Sequence, residues 1–277
     1  MRLSSPLLML TSLIRAGRSV IPAFCSANSI PTSPSALPTL AMSSSSSTLE
    51  KVTGDGIGGD GITLLPKGGE YKNVVVWLHG LGDTADGWAS SMPQLGLKDT
   101  KFILPTAEER SITLNGGFKM PGWSDIIGLS DDAPEDREGF DASAKRVWSI
   151  LDAEREKGKE DGRMVVGGFS QGGAVSLHVC LRSTRKLAGC VACSSWVPLN
   201  KDFPAALGSA VKDIPVSQFH GTRDEVVRFS WGQRSYNMMK NDLGVTVDFQ
   251  PILGMGHSAS AEELEAVGDF LRKVLSE

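Results

Sequence analysis

Residues Met164–Leu181 read MVVGGFSQGGAVSLHVCL and constrain this chain more than any other stretch. A short apolar run, Met164 to Val166, leads into Gly168-Phe169-Ser170-Gln171-Gly172. Ala174, Leu177, Cys180 and Leu181 then recur at helical spacing. The order strand, G-x-S-x-G, helix is that of a nucleophile elbow. A strand that turns at once into a helix brings backbone segments too close for most side chains, and the glycines relieve that crowding. The serine between them is expected on a strained turn with its hydroxyl exposed. A plain Gly/Ser loop has the same letters but lacks the strand signal before it and the helix signal after it.

At 277 residues the chain can form one large domain with a substantial core. The formal net charge is −4, and the first 49 residues hold three arginines and no acid, so the remainder is more acidic still. An acidic body argues against general nucleic-acid binding, which draws on basic surface. No apolar run approaches the roughly 20 residues needed to span a bilayer.

Residues 1–48 differ from all that follows. They are rich in Ser, Pro and Ala, include Arg2, Arg15 and Arg18, and end in Ser43–Ser47. Such a leader cannot bury enough apolar surface to fold, and its acid-free, Arg-containing character is that of an organelle transit peptide. The apolar stretch Pro6–Ile14 makes a secretory signal the rival reading, and Met42 offers an internal start. The protein is expected in a plastid or mitochondrion where the leader is used, and in the cytoplasm otherwise. Cys25 lies in the leader, leaving Cys180, Cys190 and Cys193 in the body. That odd number favours a reducing compartment. Cys190 and Cys193 are three apart on a strand-like run, so they face opposite sides and are expected to stay reduced.

Strand-like and helix-like signals alternate over residues 60–277. Asn73–Leu78, Lys101–Leu104, Met164–Val166, Leu187–Cys193, Ile214–Phe219 and Val245–Gln250 read as strands. Asp136–Lys157, the stretch after Ser170, Phe229–Leu243 and Ala261–Leu275 read as helices. Ser260 and Glu263 offer a capping box for the last of these. Such alternation predicts a mainly parallel sheet with helices on both faces.

A serine hydroxyl needs a base to take its proton and an acid to orient that base. There are four histidines to try. His178 lies eight residues after Ser170 on the same helix and reads as packing or surface. His79 ends the first strong strand, ahead of the serine. The hydrolase chain order of serine, acid, histidine leaves His220 and His257. Choosing His220 leaves only acids in Lys201–Asp213, where no strand end is marked. Choosing His257, in LGMGHSAS, leaves Asp224, just past the strand that ends at Phe219. The ends of parallel strands are where such sites lie. Ser170, Asp224 and His257 are therefore the candidate triad, with Asp202, Asp213 and Glu225 as alternative acids. The developing oxyanion needs N–H donors. The backbones of Gln171, next to the serine, and of Leu81, in the glycine loop His79-Gly80-Leu81-Gly82-Asp83, are the candidates.

The strings LHGLGDTADGW, TLNGGFKMPGWSDI, GGFSQGGAVSL, SSWVPL and HGTRDEVV, with GMGHS, resemble acyl-protein thioesterases and the related lysophospholipase-like carboxylesterases. The resemblance runs from about residue 60 to the C-terminus. It implies an α/β-hydrolase fold without a large cap, the same triad and the same oxyanion donors. It also implies a shallow acyl channel walled by Leu81, Trp123 and Trp196, with Phe118, Met120 and Ile126 as neighbours. Implied substrates are S-acylated proteins, with lysophospholipids as side substrates. The family's D-P-x-V-P is Asp224-Glu225-Val226-Val227-Arg228 here, without either proline. No cysteine sits beside Met1 or Met42, so acylation near the N-terminus is not expected.

The long apolar loop Ser111–Leu129 fits an acyl-chain site on its own composition. A carboxylesterase for short soluble esters would show the same elbow, and a ligand-binding relative with little turnover could keep an intact triad. No phosphate loop, metal-ligand cluster or basic helix is present, so neither cofactor nor metal is expected. The oligomeric state is left open.

Overall fold

The computed structural model describes residues 49–130 and 132–276. The leader, with Cys25 and Met42, lies outside the described residues. In chain order the strands are β1 (Leu49–Thr53), β2 (Gly61–Pro66), β3 (Asn73–Leu78), β4 (Thr100–Pro105), β5 (Glu109–Ile112), β6 (Phe118–Pro121), β7 (Met164–Phe169), β8 (Gly189–Cys193), β9 (Val216–Gly221) and β10 (Val247–Ile252). The helices are α1 (Ala85–Ala89), α2 (Arg137–Glu156), α3 (Gln171–Leu181), α4 (Phe229–Asn237) and α5 (Ala261–Leu275). Eight strands form one sheet in the order β1-β2-β4-β3-β7-β8-β9-β10. β1 and β4 run antiparallel to β2, and every pairing from β4 to β10 is parallel. β5 and β6 make a separate antiparallel hairpin.

The buried strands are apolar on both sides because both faces are covered. Along β3, Val74, Val76 and Leu78 join a core with Phe140 and Val147 of α2 and Leu177 of α3. Val75 and Trp77 join a second core with Trp88 of α1 and Val267 and Leu271 of α5. This is the two-residue strand period read against two helical layers. α3 has every residue buried, since it lies between the sheet and α2, and so shows no polar face. Cys190 and Cys193 fall in the opposite cores, and both are free thiols, as is Cys180.

Several boundaries differ from the sequence expectation. The sheet begins at Leu49, eleven residues before the expected start at 60. β1 is exposed at four of its five positions, so its pattern is weak, and pairing with β2 holds it. The connection to β2 is tied down by Asp55, which accepts from Ile57 N and Gly59 N and pairs with Arg146 of α2 at 2.8 Å. Ser111–Leu129 is no simple loop but carries the end of β5 and the whole of β6. α4 stops at Asn237 and continues as one π-helical turn, Met238–Asp242, instead of running on to Leu243.

The capping box at α5 is half made. Ser260 Oγ accepts from Glu263 N at 3.1 Å, but the Glu263 carboxyl does not reach back. It is 1% exposed, and the donor facing it is the Cys193 thiol, a weak one that does not offset its burial. Burial, with the Asp224 charge adding to it, raises its pKa from 4.5 to about 8. The folded state therefore holds a proton that the unfolded chain has already released, so stability should fall as pH rises from 4.5 to about 8. A shift of this size is worth on the order of 5 kcal/mol. Glu263→Gln should remove most of that decline in a series of urea unfolding curves between these pH values. A variant as pH-sensitive as the wild type would show that the carboxyl is not held neutral.

Candidate active site

Ser170 joins β7 to α3 with φ 54° and ψ −120°, a conformation that strains any residue with a Cβ. The neighbouring glycines are required by contact. A Cβ at Gly168 would stand 2.6 Å from the Leu78 carbonyl oxygen, and one at Gly172 would stand 2.2 Å from it. The elbow can press against β3 only because both side chains are missing.

Three loops at the carboxyl ends of β7, β9 and β10 bring their side chains together. His257 Nε2 lies 2.9 Å from Ser170 Oγ, and His257 Nδ1 lies 2.7 Å from Asp224 Oδ2. The Asp224 side chain is fully buried, while His257 keeps 15% of its side chain exposed. Asp224 Oδ1 accepts from Val226 N and Val227 N, both at 2.9 Å. The loop that lacks the two prolines thus grips its acid through backbone N–H groups. Burial alone would raise the Asp224 pKa. Hydrogen bonding and charge from the His220 and His257 rings outweigh that and lower it from 3.8 to about 2.

The other histidines are structural in their surroundings. His79 Nε2 accepts from Ala107 N at 3.0 Å, which places the proton on Nδ1, 2.7 Å from Gly80 O. Burial is the main cause of its pKa falling to about 4, so it is neutral. His178 is buried against Phe140, with Nε2 2.9 Å from Asp141. His220 is fully buried, its Nε2 2.8 Å from Val227 O and 3.5 Å from Asp224 Oδ2. It supports the acid from behind and does not reach Ser170.

A cavity of about 1450 Å³ opens at Ser170 and His257. Leu81 and Gln171, the expected oxyanion donors, border it. Gln171 is the first residue of α3, where a helix leaves its N–H groups without intrahelical partners. Of the expected acyl walls, Ile126 and Trp196 also border the cavity. A strap, residues 125–130 and 132–135, runs along it. Glu135 at the end of the strap accepts from Trp196 Nε1 at 3.0 Å and from Leu199 N at 2.7 Å.

Three expected wall residues do not reach the cavity. Phe118 starts β6 and is 66% exposed to solvent. Met120 is buried in the hairpin with its sulfur 3.7 Å from Asn115 Nδ2. Trp123 is 1% exposed and donates its indole N–H to His79 O at 2.8 Å. A buried indole needs an acceptor, and here the acceptor lies on the core side. The sequence reading missed Trp88, Trp231 and Met238, which border the cavity. Trp231, Ser235 and Met238 stand at i, i+4 and i+7, so their common face was visible in the sequence. The direction in which that face points is set by packing.

An α/β sheet with a serine elbow, a histidine and a buried carboxylate in hydrogen-bonded succession defines a serine hydrolase of the α/β-hydrolase class. Residues 62–275 match the model of the Phospholipase/Carboxylesterase family. The chain belongs to that family. It is 40% identical over 223 residues to acyl-protein thioesterase 1 of Gibberella zeae, covering 76% of this chain and 94% of that protein. It is 39% identical over 210 residues to acyl-protein thioesterase 1 homolog 1 of Dictyostelium discoideum, covering 74% and 92%. The crystal structure of Zea mays acyl-protein thioesterase 2 superposes with a TM-score of 0.70 at 33% identity, covering 77% of this chain and 97% of that one.

Proposed function

We propose that this protein hydrolyses fatty-acyl thioesters on S-acylated proteins, with lysophospholipids as side substrates, through an acyl-enzyme on Ser170. The observation that carries the reading is the Asp224–His257–Ser170 chain at the mouth of a large cavity with apolar walls. The relatives described as acyl-protein thioesterases support the substrate class. Ser170 Oγ attacks the acyl carbonyl while His257 Nε2 takes its proton. Asp224 fixes the imidazole tautomer and stabilises the imidazolium. The Leu81 and Gln171 N–H groups receive the oxyanion. His257 returns the proton to the leaving thiolate, and water then releases the acid by the same steps. We further infer a catalytic domain over residues 60–277 together with β1. Residues 1–48 would act as a leader, directing the protein to a plastid or mitochondrion where it is used and leaving it in the cytoplasm where it is not. No helix among the described residues is long and apolar enough to cross a membrane.

Turnover across S-acyl peptides, lysophospholipids and short esters tests the reading. Each buried methylene contributes about 0.8 kcal/mol. Acyl groups of about eight or more carbons should therefore exceed acetyl at least tenfold in kcat/KM, after losses to incomplete burial and chain ordering. Trp196→Ala should narrow that preference more than it lowers acetyl turnover. Trp196→Phe keeps the apolar face, loses only the bond to Glu135, and should retain the preference. A flat profile would promote the short-ester reading. Tight ligand binding without turnover would promote the ligand-binding one.

A further inference from the structure

Two backbone N–H groups on separate elements must point at one oxygen. Leu81 sits in the loop after β3, and Gln171 opens α3. Such donors need to be held to within about 0.5 Å to be effective. A single stretch, Pro121 to Ser124, makes contacts to both. Pro121 O accepts from Gly82 N at 2.8 Å. A Cβ on Gly122 would fall 3.0 Å from Leu81 Cδ1, so this backbone lies directly against the Leu81 side chain. The Trp123 indole N–H is given to His79 O at 2.8 Å. The Trp123 backbone N–H is given to Gln171 Oε1 at 2.8 Å. The Gln171 amide closes the circuit by donating to Ser124 O at 2.8 Å and Ser124 Oγ at 3.0 Å. On its far side Trp123 O accepts from Ser143 Oγ of α2 at 2.5 Å. His79, Trp123, Ser124 and Gln171 are each at most 1% exposed, so water does not substitute for these bonds.

We propose that Trp123 is a positioning residue that sets the spacing of the oxyanion hole, one N–H of the same residue holding each half. The proposal rests on Leu81 and Gln171 being the donors. Their N–H groups touch the reacting oxygen, and Trp123 acts only through them. Removing the indole N–H leaves the buried His79 carbonyl unpartnered, and the loop is then free to shift to recover a bond. A shift too small to disturb the fold is large enough to misaim the Leu81 N–H. The cost should fall on the charged tetrahedral state and spare the bound ester.

Trp123→Phe keeps the aromatic bulk and the bond to Gln171 and loses only the indole donor. With a long-chain ester we expect kcat to fall ten- to a hundredfold and KM to stay within threefold. An alkyl trifluoromethyl ketone gives an independent readout. Ser170 Oγ adds to its carbonyl carbon, the C=O pair becomes the hemiketal oxyanion, and the serine proton passes to His257. Affinity for this ketone should fall by the same factor as kcat, while affinity for the matching secondary alcohol, which forms no oxyanion, should not change. Should Trp123→Phe fail to fold, replacing the indole by its benzothiophene isostere, which has sulfur in place of N–H, makes the same deletion at constant shape. A folded variant with kcat and ketone affinity within twofold of wild type overturns the proposal, as does a lowered melting temperature with unchanged kinetics. Failure of the underlying reading looks different: the wild-type protein would hydrolyse esters yet bind the ketone no better than the alcohol, and the proposal would fall with it.

Discussion

Ser170→Ala should lower kcat on the order of 10⁶-fold and abolish labelling by a fluorophosphonate probe, with the fold retained. Losing the nucleophile has that scale of effect in a serine protease of unrelated fold. The Ser170 hydroxyl is the group His257 Nε2 contacts at 2.9 Å, and an alanine has no atom to take its place. The nearby hydroxyls are not substitutes. Ser195 Oγ is buried and already donates to Ser170 O at 2.8 Å. Because alanine keeps the Cβ, the strained backbone at φ 54° is unchanged and the melting temperature should move little. Burst kinetics with an activated ester and intact-mass detection of the acyl adduct read the result. Activity within tenfold of wild type would place the nucleophile elsewhere.

The second large effect is expected at the acid. Asp224→Asn should leave KM near its wild-type value and lower kcat by up to about 10⁴. The reason is in the bonding of its two oxygens. Oδ1 accepts two backbone N–H groups, so an asparagine will orient its oxygen there and turn its NH₂ toward His257 Nδ1. The imidazole must then carry its proton on Nε2, where it cannot accept one from Ser170. The sequence also left Asp202, Asp213 and Glu225 open as acids. Asp202 lies between Arg137 and Arg182, and hydrogen bonding to Arg137 above all lowers its pKa to about 2. Asp202→Asn should therefore spare kcat. A neutral Asp224→Asn beside a large effect at Asp202, Asp213 or Glu225 would reassign the role.

What could be read from the sequence was local chemistry tied to strand ends. Ser170, Asp224 and His257, which the structure joins by hydrogen bonds, were selected by chain order and by the loops that follow β7, β9 and β10. β3 was legible because burial on both faces leaves it apolar throughout. The edge strand β1 was not, since LEKVT alternates too little and gains its place only by pairing with residues 61–66. Trp123 shows the limit most clearly. The family resemblance of its string pointed to a wall of the cavity, but the side of the backbone on which an indole finds its acceptor is decided by His79, 44 residues away. The same holds for Trp231 and Met238, whose helical face was visible and whose direction was not. Phe118 and Met120 lie two apart on a four-residue strand and so share a face, yet one is in solvent and the other is buried, a difference set by what packs over each position.

The two rims of the sheet bear on whether copies of this protein can adhere to one another through their backbones. Val216 N bonds to Thr246 O and Thr222 N to Ile252 O, so the even-numbered residues of β10 face β9. The odd positions look outward, and among them is Pro251, which has no N–H to offer an incoming strand. At the opposite rim, β1 presents exposed Glu50 and Lys51. Unpaired strand rims are templates for aggregation unless something spoils them, and a proline or a charged pair does so at little cost to the fold. A protein whose proposed substrates are lipid-bearing chains must offer an apolar cavity to its surroundings. Keeping both rims unsuited to strand addition lets it present that cavity without seeding its own precipitation.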